Sequence, residues 1–276
     1  MNEFQMTTAF PQPFDLTGRV AVITGGGGLM GAHHAAALAE AGAIPVLLDI
    51  SGERAAQVAG EIAGAWSLET DITQPQSVET ALAEVLRKQG RIDILINNAA
   101  NNPKMESSDT AWSRMENFPL QQWDDDIAVG LTGAFLCCQV FGAEMARRGG
   151  GVILNIASDL AVIAPDQRLY RQPDLPENEQ PVKPVTYSVV KTALIGLTRY
   201  LATYWADRGV RVNAISPGGI ENNQPEEFRH RLENLIPMSR MARPNEYEAA
   251  ILFLCSDASA YMTGQNLIMD GGRSCW

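Results

Sequence analysis

The sequence predicts an α/β protein, a single-domain Rossmann fold with a doubly wound parallel sheet of about seven strands and helices on both faces. Three observations lead to this fold class. Short apolar runs rich in β-branched residues alternate with helix-favouring segments along the chain. A glycine-rich turn at residues 24–31 joins the first apolar run to an alanine-rich helix. The 276 residues, of which 46% are hydrophobic, suffice for one large core.

The predicted elements alternate along the chain. Residues 1–17 form an N-terminal arm, because Pro11 and Pro13 interrupt regular structure, and the domain spans residues 18–276. Strands are predicted at 19–24, 43–49, 65–70, 91–98, 152–157, 210–215 and 265–270. Helices are predicted at 32–41, 51–64, 73–90, 122–148, 186–205, 225–236 and 245–256. This alternation predicts parallel pairing through right-handed crossovers.

Composition argues against several classes of partner. The net charge is −11 without a basic stripe, so we expect no nucleic acid partner. The first residues lack a signal-peptide pattern and no apolar run reaches membrane-spanning length, so we expect no membrane association and a cytoplasmic protein. The four cysteines are not spaced as metal ligands, which predicts no metal site and a reducing compartment.

The glycine turn predicts a dinucleotide site. Glycines allow the backbone to approach a pyrophosphate, and the helix N-terminus offers free N–H groups. The turn residues predicted to contact the cofactor are Thr24, Gly25, Gly28, Leu29, Met30 and Gly31. A glycine-rich turn without a ligand is the alternative interpretation.

The acid after the second strand predicts the kind of dinucleotide. Asp49 lies 18 residues after Gly31, where a carboxylate can accept hydrogen bonds from ribose hydroxyls and repel a 2′-phosphate. We therefore expect NAD, with NADP less favoured. The alternative is that Asp49 only caps a helix or a turn.

Tyr187 and Lys191 form the pair on which the catalytic hypothesis depends. Residues four apart share one face of a helix, and an ammonium near a phenol favours the phenolate. The tyrosine could then exchange protons near neutral pH. The same spacing also fits a packed tyrosine beside an exposed lysine.

The long insert at 165–184 is expected to border the reaction site, and it and the connection at 99–120 are polar. The insert at 165–184 contains five prolines and lies between Ser158 and Tyr187, and loops of this length are usually functional or disordered. Residues 220–240 are a possible lid. The residues predicted to contact substrate are Asn101, Lys104, Asp159, Arg168, Arg171 and Gly219. The polar loops predict a polar substrate, and their cations suggest that it carries a carboxylate or phosphate.

With these pieces assembled, residues 15–275 resemble the shorter branch of the short-chain dehydrogenase/reductase family. The matching motifs are the turn at 24–31, Asn97-Asn-Ala-Ala100, Ser158, Tyr187-x-x-x-Lys191, Ser216-Pro-Gly218 and Asp270-Gly-Gly272. More narrowly, SPGGIENNQPEEF and YMTGQNLIMDGGRSCW are similar to the branch associated with bacterial surface sugars and flagellin modification.

The resemblance implies the roles of the site residues. Tyr187 exchanges a proton with the substrate oxygen, Ser158 stabilises charge on that oxygen, and Lys191 holds the nicotinamide ribose and lowers the pKa of Tyr187. The other implied cofactor contacts are Ile50, Asp71, Ile72, Asn98, Ala99, Ala100, Pro217, Gly218 and Ile220. The resemblance also implies a homotetramer, with the helices at 122–148 and 186–205 in one interface.

The sequence departs from the family pattern at several positions. Leu29 replaces the middle glycine of the turn, Ala100 replaces a glycine, and Asn222 stands where threonine is usual. Gly130 replaces the asparagine of the long helix. The family implies that this asparagine holds a water that relays protons to the lysine, so its loss puts the relay in doubt.

The expected function is an NAD-dependent oxidoreductase that interconverts a secondary alcohol and a ketone on a sugar-like or sugar-acid substrate. A 3-oxoacyl thioester reductase is one alternative, although it should use NADPH and display a basic docking patch. An inactive NAD-binding structural or regulatory protein is another, as is an epimerase or dehydratase that retains NAD.

Overall fold

The computed structural model describes residues 12–103, 105 and 111–276. Lys104 and most of the predicted arm therefore lie outside the described residues. Within these ranges, seven parallel strands form one sheet in the order β3-β2-β1-β4-β5-β6-β7. The strands are β1 Val20–Thr24, β2 Ile44–Asp49, β3 Trp66–Glu69, β4 Ile94–Asn97, β5 Gly151–Ile156, β6 Val210–Pro217 and β7 Asn266–Met269. The predicted fold class is confirmed.

Helices cover both faces of this sheet. They are α1 Leu29–Glu40, α2 Gly52–Glu61, α3 Pro75–Gln89, α4 Leu120–Arg148, α5 Val185–Tyr204, α6 Glu226–Glu233 and α7 Glu248–Cys255. Helix α1 begins three residues before the predicted start, because Gly28 is already the extended N-cap. The predicted dinucleotide turn is therefore shorter, and the first helical turn includes Leu29 and Met30.

The five inner strands are buried on both faces, as is usual for parallel sheets between helices, whereas the edge strands β3 and β7 are only half-buried. Successive residues of β1 point to opposite sides, with Val22 in the cluster beneath α3 and α4 and Ile23 in the cluster beneath α1 and α7. This explains why the strand sequences are continuous apolar runs rather than alternating ones.

Helix α4 contains two π turns, Ala128–Thr132 and Cys138–Gly142. By length and composition alone it could cross a membrane, which corrects the expectation that no apolar run is long enough. Half of its apolar stretch is buried in the fold, with Phe141 and Met145 packed beneath the sheet, as expected of a core helix.

The topology also fixes where a ligand can bind. The chain builds β1, β2 and β3 in one direction and then returns to place β4 on the other side of β1. Ligands of open α/β sheets bind outside the carboxyl ends of the strands at such a switch point.

Candidate active site

A cleft of about 960 Å³ opens at the carboxyl ends of the strands. Most residues predicted to contact the cofactor line it; Thr24 and Gly31 do not. Those that do are Gly25, Gly28, Leu29, Met30, Asp49, Ile50, Asp71, Ile72, Asn98, Ala99, Ala100, Tyr187, Lys191, Pro217, Gly218 and Ile220. The structure thus brings residues from separate parts of the chain to one surface.

Thr24 and Gly31 shape the glycine turn from behind. The Thr24 hydroxyl accepts hydrogen bonds from the backbone N–H groups of Asn98 and Ala99, at 3.0 and 3.1 Å. The Asn98 amide donates in return to the carbonyl of Thr24 at 2.9 Å. A Cβ on Gly31 would overlap the Gly25 carbonyl oxygen. These contacts join the end of β1 to the end of β4 beneath the cleft.

The turn fits a dinucleotide, because its glycines carry no side chains that would fill the space beside the backbone. Gly25 has φ +64°, and a Cβ there would lie 2.9 Å from the Cα of Ala99. Leu29, in place of the usual glycine, is the first residue of α1 and is 42% exposed, so the substitution leaves the turn intact. The helix N-terminus beside the turn offers free N–H groups to a pyrophosphate.

Asp49 is buried at the end of β2, where its carboxylate also organises the turn. One oxygen accepts from the Gly27 N–H at 3.0 Å, and the other accepts from the Ser51 N–H at 2.9 Å. Arg54 lies 3.3 Å from the same carboxylate and also lines the cleft. Both the ribose-binding and the turn-capping interpretations of Asp49 are compatible with this arrangement.

Ser158 follows β5 and is buried at the other end of the cleft. Its Oγ donates to Asp159 Oδ1 at 2.9 Å and accepts from the Leu160 N–H at 3.2 Å. Asp159 Oδ2 in turn accepts from Arg273 at 2.8 Å, and the side chains of this ion pair are 5% and 8% exposed. The C-terminal segment therefore reaches the neighbour of the serine.

Tyr187 and Lys191 lie on the first turns of α5 and face the cleft beside Ser158. Lys191 is buried, and its Nζ donates to the Ile156 carbonyl at 2.7 Å and lies 5.8 Å from the centre of the Tyr187 ring. The alternative of an exposed lysine is therefore wrong. Serine from the end of β5 and the tyrosine and lysine of α5 converge at one point.

Burial controls the proton affinities of this group. It raises the pKa of Tyr187, while a hydrogen bond with Ser158 opposes the shift and Asp159 adds to it. Burial lowers the pKa of Lys191 to about 8, and the positive charge of Lys183 adds to the shift. The pKa of Tyr187 is thus raised in this structure by burial, and the lowering by Lys191 that the sequence predicts is not among the causes.

The predicted substrate residues divide into two groups. Asn101, Asp159 and Gly219 line the cleft. Arg168 and Arg171 do not, because they pair with the carboxylates of Asp166 and Glu177 on the insert itself. The structure therefore does not bring these arginines into the cleft, so their contact with substrate stays a prediction, and Lys104 lies outside the described residues.

Sequence reasoning missed an apolar wall of the cleft. Leu169 and Tyr170 of the insert pack against Phe228 and Leu232 of α6, with the rings of Tyr170 and Phe228 5.6 Å apart. The amphipathic pattern of α6 was a signal for this contact. Insert and α6 thus form one continuous wall.

Lys183 and Arg273 also line the cleft and were not predicted to do so. Lys183 Nζ lies 3.8 Å above the centre of the Tyr187 ring. Lys183 precedes α5, so the helix period does not set its direction and no local pattern predicts this contact. Arg273 follows the Asp270-Gly-Gly272 motif, but only the fold brings it to Asp159.

At Gly130, which replaces the asparagine usual in the family, the structure is closed by a neighbouring side chain. Gly130 is buried in the first π turn of α4, facing α5, and a Cβ there would lie 2.5 Å from Val190 Cγ1. The Val190 side chain therefore fills the space that an asparagine would need. Lys191, next to Val190, is held directly by the Ile156 carbonyl.

Comparisons with known proteins agree with this geometry. The family model described as "short chain dehydrogenase" matches residues 19–170, and the model described as "Enoyl-(Acyl carrier protein) reductase" matches residues 178–274. Among solved structures, a gluconate 5-dehydrogenase from Burkholderia cenocepacia in complex with NADP and tartrate is similar, with a TM-score of 0.83 and 30% identity. The alignment covers 96% of this chain and 98% of that one.

Curated relatives match over nearly the whole chain. The D-threitol dehydrogenase of Mycolicibacterium smegmatis is 36% identical, covering 94% of each chain. The NAD-dependent glycerol dehydrogenase of Listeria innocua is 36% identical over 95% of this chain and 96% of its own. A 3-oxoacyl-[acyl-carrier-protein] reductase of Aquifex aeolicus is 34% identical over 93% and 98%. The chain belongs to the short-chain dehydrogenase/reductase family and is an oxidoreductase acting on CH–OH groups.

Proposed function

We propose that the protein is an NAD-dependent dehydrogenase that interconverts a secondary alcohol and a ketone on a polar, sugar-like substrate. The observation that carries the proposal is the convergence of Ser158, Tyr187 and Lys191 at one end of a cleft whose other end contains the glycine turn and Asp49. A dinucleotide in this cleft would reach from the turn to the tyrosine.

The residues of the chain move the proton in this proposal. For oxidation, Tyr187 as phenolate takes the proton of the substrate hydroxyl, while Ser158 turns its hydroxyl from Asp159 to the same oxygen. Lys191, with a pKa of about 8, is mainly protonated at neutral pH and stabilises the phenolate. A nicotinamide bound here would supply the hydride acceptor, and its positive charge would further favour the phenolate of Tyr187.

Residues for binding the cofactor are present along the cleft. The turn and the N–H groups at the start of α1 would hold the pyrophosphate, and Asp49 the adenosine ribose. A carboxylate there supports NAD, and the Listeria relative is named NAD-dependent. Arg54 pairs with Asp49 and would have to bind the 2′-phosphate if NADP were used.

The substrate class rests on polarity and on the relatives. Asn101, Asn102 and Lys183 line the same cleft as Tyr187, and the threitol and glycerol dehydrogenases act on small polyols by name. The similarity to the surface-sugar and flagellin-modification branch belongs to the same proposal. Of the first segment that carries this similarity, residues 217–220, 222–225 and Phe228 line part of the cleft.

A 3-oxoacyl thioester reductase is the second candidate, favoured by the apolar wall of Leu169, Tyr170 and Phe228 and by the Aquifex relative. Asp49 and the net charge of −11 argue against NADPH and an acidic carrier protein.

We also propose a cytoplasmic homotetramer. All four cysteines are free, which is typical of a reducing compartment. Large apolar side chains are exposed on α4 and α5, including Phe135, Tyr200 and Tyr204. These helices would form one interface, and light scattering of the purified protein tests the mass.

The experiment is a spectrophotometric screen at 340 nm. Purified protein with NAD, and separately with NADP, is presented with alditols, sugars, sugar acids, sugar phosphates and nucleotide sugars. Acyl thioesters with NADH or NADPH are run in the reducing direction. NADH formation with a sugar-like alcohol supports the proposal. Thioester reduction without sugar oxidation would support the second candidate instead, and no turnover together with tight NADH binding would favour an inactive NAD-binding protein.

A further inference from the structure

We propose that Asp159 binds a second hydroxyl group of the substrate, on the carbon next to the one that is oxidised. The substrates are then vicinal diols and the products α-hydroxyketones. This assignment rests on the proposed function and deepens it, because it names the pattern of hydroxyl groups that the site selects. Its basis is a buried carboxylate directly beside the serine of the site.

Asp159 follows Ser158 in the sequence, and both residues are buried and line the cleft. Asp159 Oδ1 accepts from Ser158 Oγ at 2.9 Å and from the Leu160 N–H at 2.8 Å. Asp159 Oδ2 accepts from Arg273 Nη1 at 2.8 Å. Three hydrogen bonds from described residues therefore hold the carboxylate, and one of them comes from the hydroxyl that must act on the substrate.

The Ser158 hydroxyl cannot serve both partners, because it has a single proton to donate. In the structure this proton goes to Asp159, whereas in the proposed reaction it goes to the reacting oxygen. Oδ1 then loses one of its two hydrogen bonds. A buried acceptor that loses its partner raises the free energy of the complex, and a donor carried by the substrate removes this cost.

Arg273 keeps Asp159 Oδ1 directed at this position. Its guanidinium holds Oδ2, and the side chains of the ion pair are 5% and 8% exposed. The backbone around Arg273 is fixed as well, since the N–H groups of Gly272 and Ser274 donate to the Asp270 carboxylate at 2.9 and 2.7 Å. Arg273 is therefore a positioning residue for the carboxylate, which cannot rotate freely to follow the serine.

The geometry indicates which hydroxyl group of the substrate can reach Asp159. The reacting oxygen lies one hydrogen bond from Ser158 Oγ, and Asp159 Oδ1 lies 2.9 Å from the same atom. A donor to Oδ1 is therefore close to the reacting oxygen. Oxygens on adjacent carbons come this close in an ordinary staggered conformation. Oxygens on alternate carbons do so only when their C–O bonds are parallel and crowd each other.

The second hydroxyl group does not react. The oxidised carbon gives its hydride to the nicotinamide, and the hydroxyl on that carbon gives its proton to Tyr187. The neighbouring hydroxyl keeps its proton, which it donates to Asp159 throughout, so the product is an α-hydroxyketone. A 3-oxoacyl thioester has methylene groups on both sides of its ketone and would place one of them against the carboxylate. Sites built to bind a hydroxyl group reject such analogues strongly.

The test compares three alcohols with one four-carbon skeleton: 2,3-butanediol as its separate stereoisomers, 1,3-butanediol and 2-butanol. Each contains a secondary hydroxyl, and they differ in the position or presence of the second one. Their dissociation constants are measured from the fluorescence of NADH on the enzyme saturated with NADH, so that the result does not depend on turnover.

Two variants remove the acceptor. Asp159→Asn has a single side-chain oxygen, which Arg273 claims, so that an NH₂ group takes the place of Oδ1. Asp159→Leu combined with Arg273→Met removes both buried charges, a replacement that proteins often tolerate, and it decides the question if the single variant does not fold. Asp166→Asn is the matched control, because it removes a carboxylate that pairs with Arg168 outside the cleft.

We expect the wild-type protein to bind at least one stereoisomer of 2,3-butanediol about tenfold or more tightly than 1,3-butanediol and 2-butanol. Asp159→Asn should weaken that stereoisomer about 10–100-fold, as expected for loss of a hydrogen bond to a charged group, and change 2-butanol by less than about threefold. The double variant should bind all three compounds about equally, and Asp166→Asn should keep the wild-type preference.

Two results would overturn the inference. One is a wild-type protein that binds 1,3-butanediol or 2-butanol as tightly as every stereoisomer of 2,3-butanediol. The other is an Asp159 variant that keeps the preference or weakens all three compounds equally, which would limit Asp159 to orienting Ser158. Failure of the proposed function would look different: an Asp159-dependent preference for the vicinal diol without NADH formation from any alcohol.

Discussion

Replacing Gly130 with alanine should lower the free energy of unfolding, although alanine favours helices over glycine. The added Cβ would lie 2.5 Å from Val190 Cγ1 and 3.4 Å from its Cγ2, in the packed contact between α4 and α5. Overpacking a core costs about 1–3 kcal/mol, whereas glycine to alanine within a helix contributes about 0.5–1 kcal/mol. The expected net loss reaches about 2 kcal/mol.

The assay is urea denaturation followed by circular dichroism, with the midpoint compared at fixed protein concentration. Val190→Ala removes the methyl groups that the new Cβ would meet, so the double variant should be more stable than the sum of the single effects by about 1 kcal/mol or more. Gly60→Ala is the control, because a Cβ at Gly60 of α2 meets no atom of the described residues within 4 Å. It should leave stability unchanged or raise it slightly.

A Gly130→Ala variant as stable as the wild type, with additive effects in the double variant, would refute the reasoning. It would mean that α4 and α5 can separate slightly at little cost, and that Val190 does not close the space of the missing asparagine. The contact between Gly130 and Val190 also determines whether the asparagine of the family's proton relay can be restored, because the side chain of Gly130→Asn needs the space that Val190 occupies.

Three further predictions concern the ends of the cleft and the core. Arg273→Met leaves the buried Asp159 carboxylate unpaired, so kcat should fall by about tenfold or more while NADH affinity, measured by fluorescence, stays within about twofold; an unchanged kcat would remove Arg273 from the positioning of the serine. Asp49→Ala should reduce the kcat/KM preference for NAD over NADP by about tenfold or more, because the 2′-phosphate is no longer repelled; an unaltered ratio would leave Asp49 as a turn cap. Burial lowers the pKa of His34 from 6.5 to about 3, and neither ring nitrogen has a hydrogen-bond partner among the described residues. Below pH 6.5 the unfolded chain binds a proton that the folded chain does not. The free energy of unfolding should therefore fall by about 1.4 kcal/mol for each unit by which the pH decreases from 6 to 4. His34→Leu should flatten this dependence of the free energy of unfolding on pH, measured by urea denaturation at several pH values. Equal slopes in the variant and the wild type would contradict the assignment of the pH dependence to His34.

The sequence predicted the sheet and one end of the site because both depend on local patterns. Continuous apolar runs indicate strands that are buried on two faces. The glycine turn requires a positive φ at Gly25, which glycine adopts readily. Tyr187 and Lys191 could be paired because the helix period sets their geometry.

The remaining parts of the site depend on contacts between distant segments. Asp159 and Arg273 are 114 residues apart, and no local sequence pattern predicts their ion pair. Arg168 was expected at the substrate because its charge was considered without its neighbour, yet Asp166 stands two residues before it and binds it. Lys183 was missed because the direction of a lysine before a helix depends on how the insert folds.

The central claim is that Tyr187 exchanges the proton while the glycine turn and Asp49 hold the cofactor. The measurement that tests it most directly compares Tyr187→Phe with the wild type, using the initial rate of NADH formation at 340 nm with the preferred alcohol and a parallel fluorescence titration with NADH. The account predicts a rate lower by about 10²–10⁴-fold, the usual contribution of acid–base catalysis, with NADH affinity within about twofold. A phenylalanine variant that keeps a wild-type rate would contradict the account, because another group would then have to move the proton.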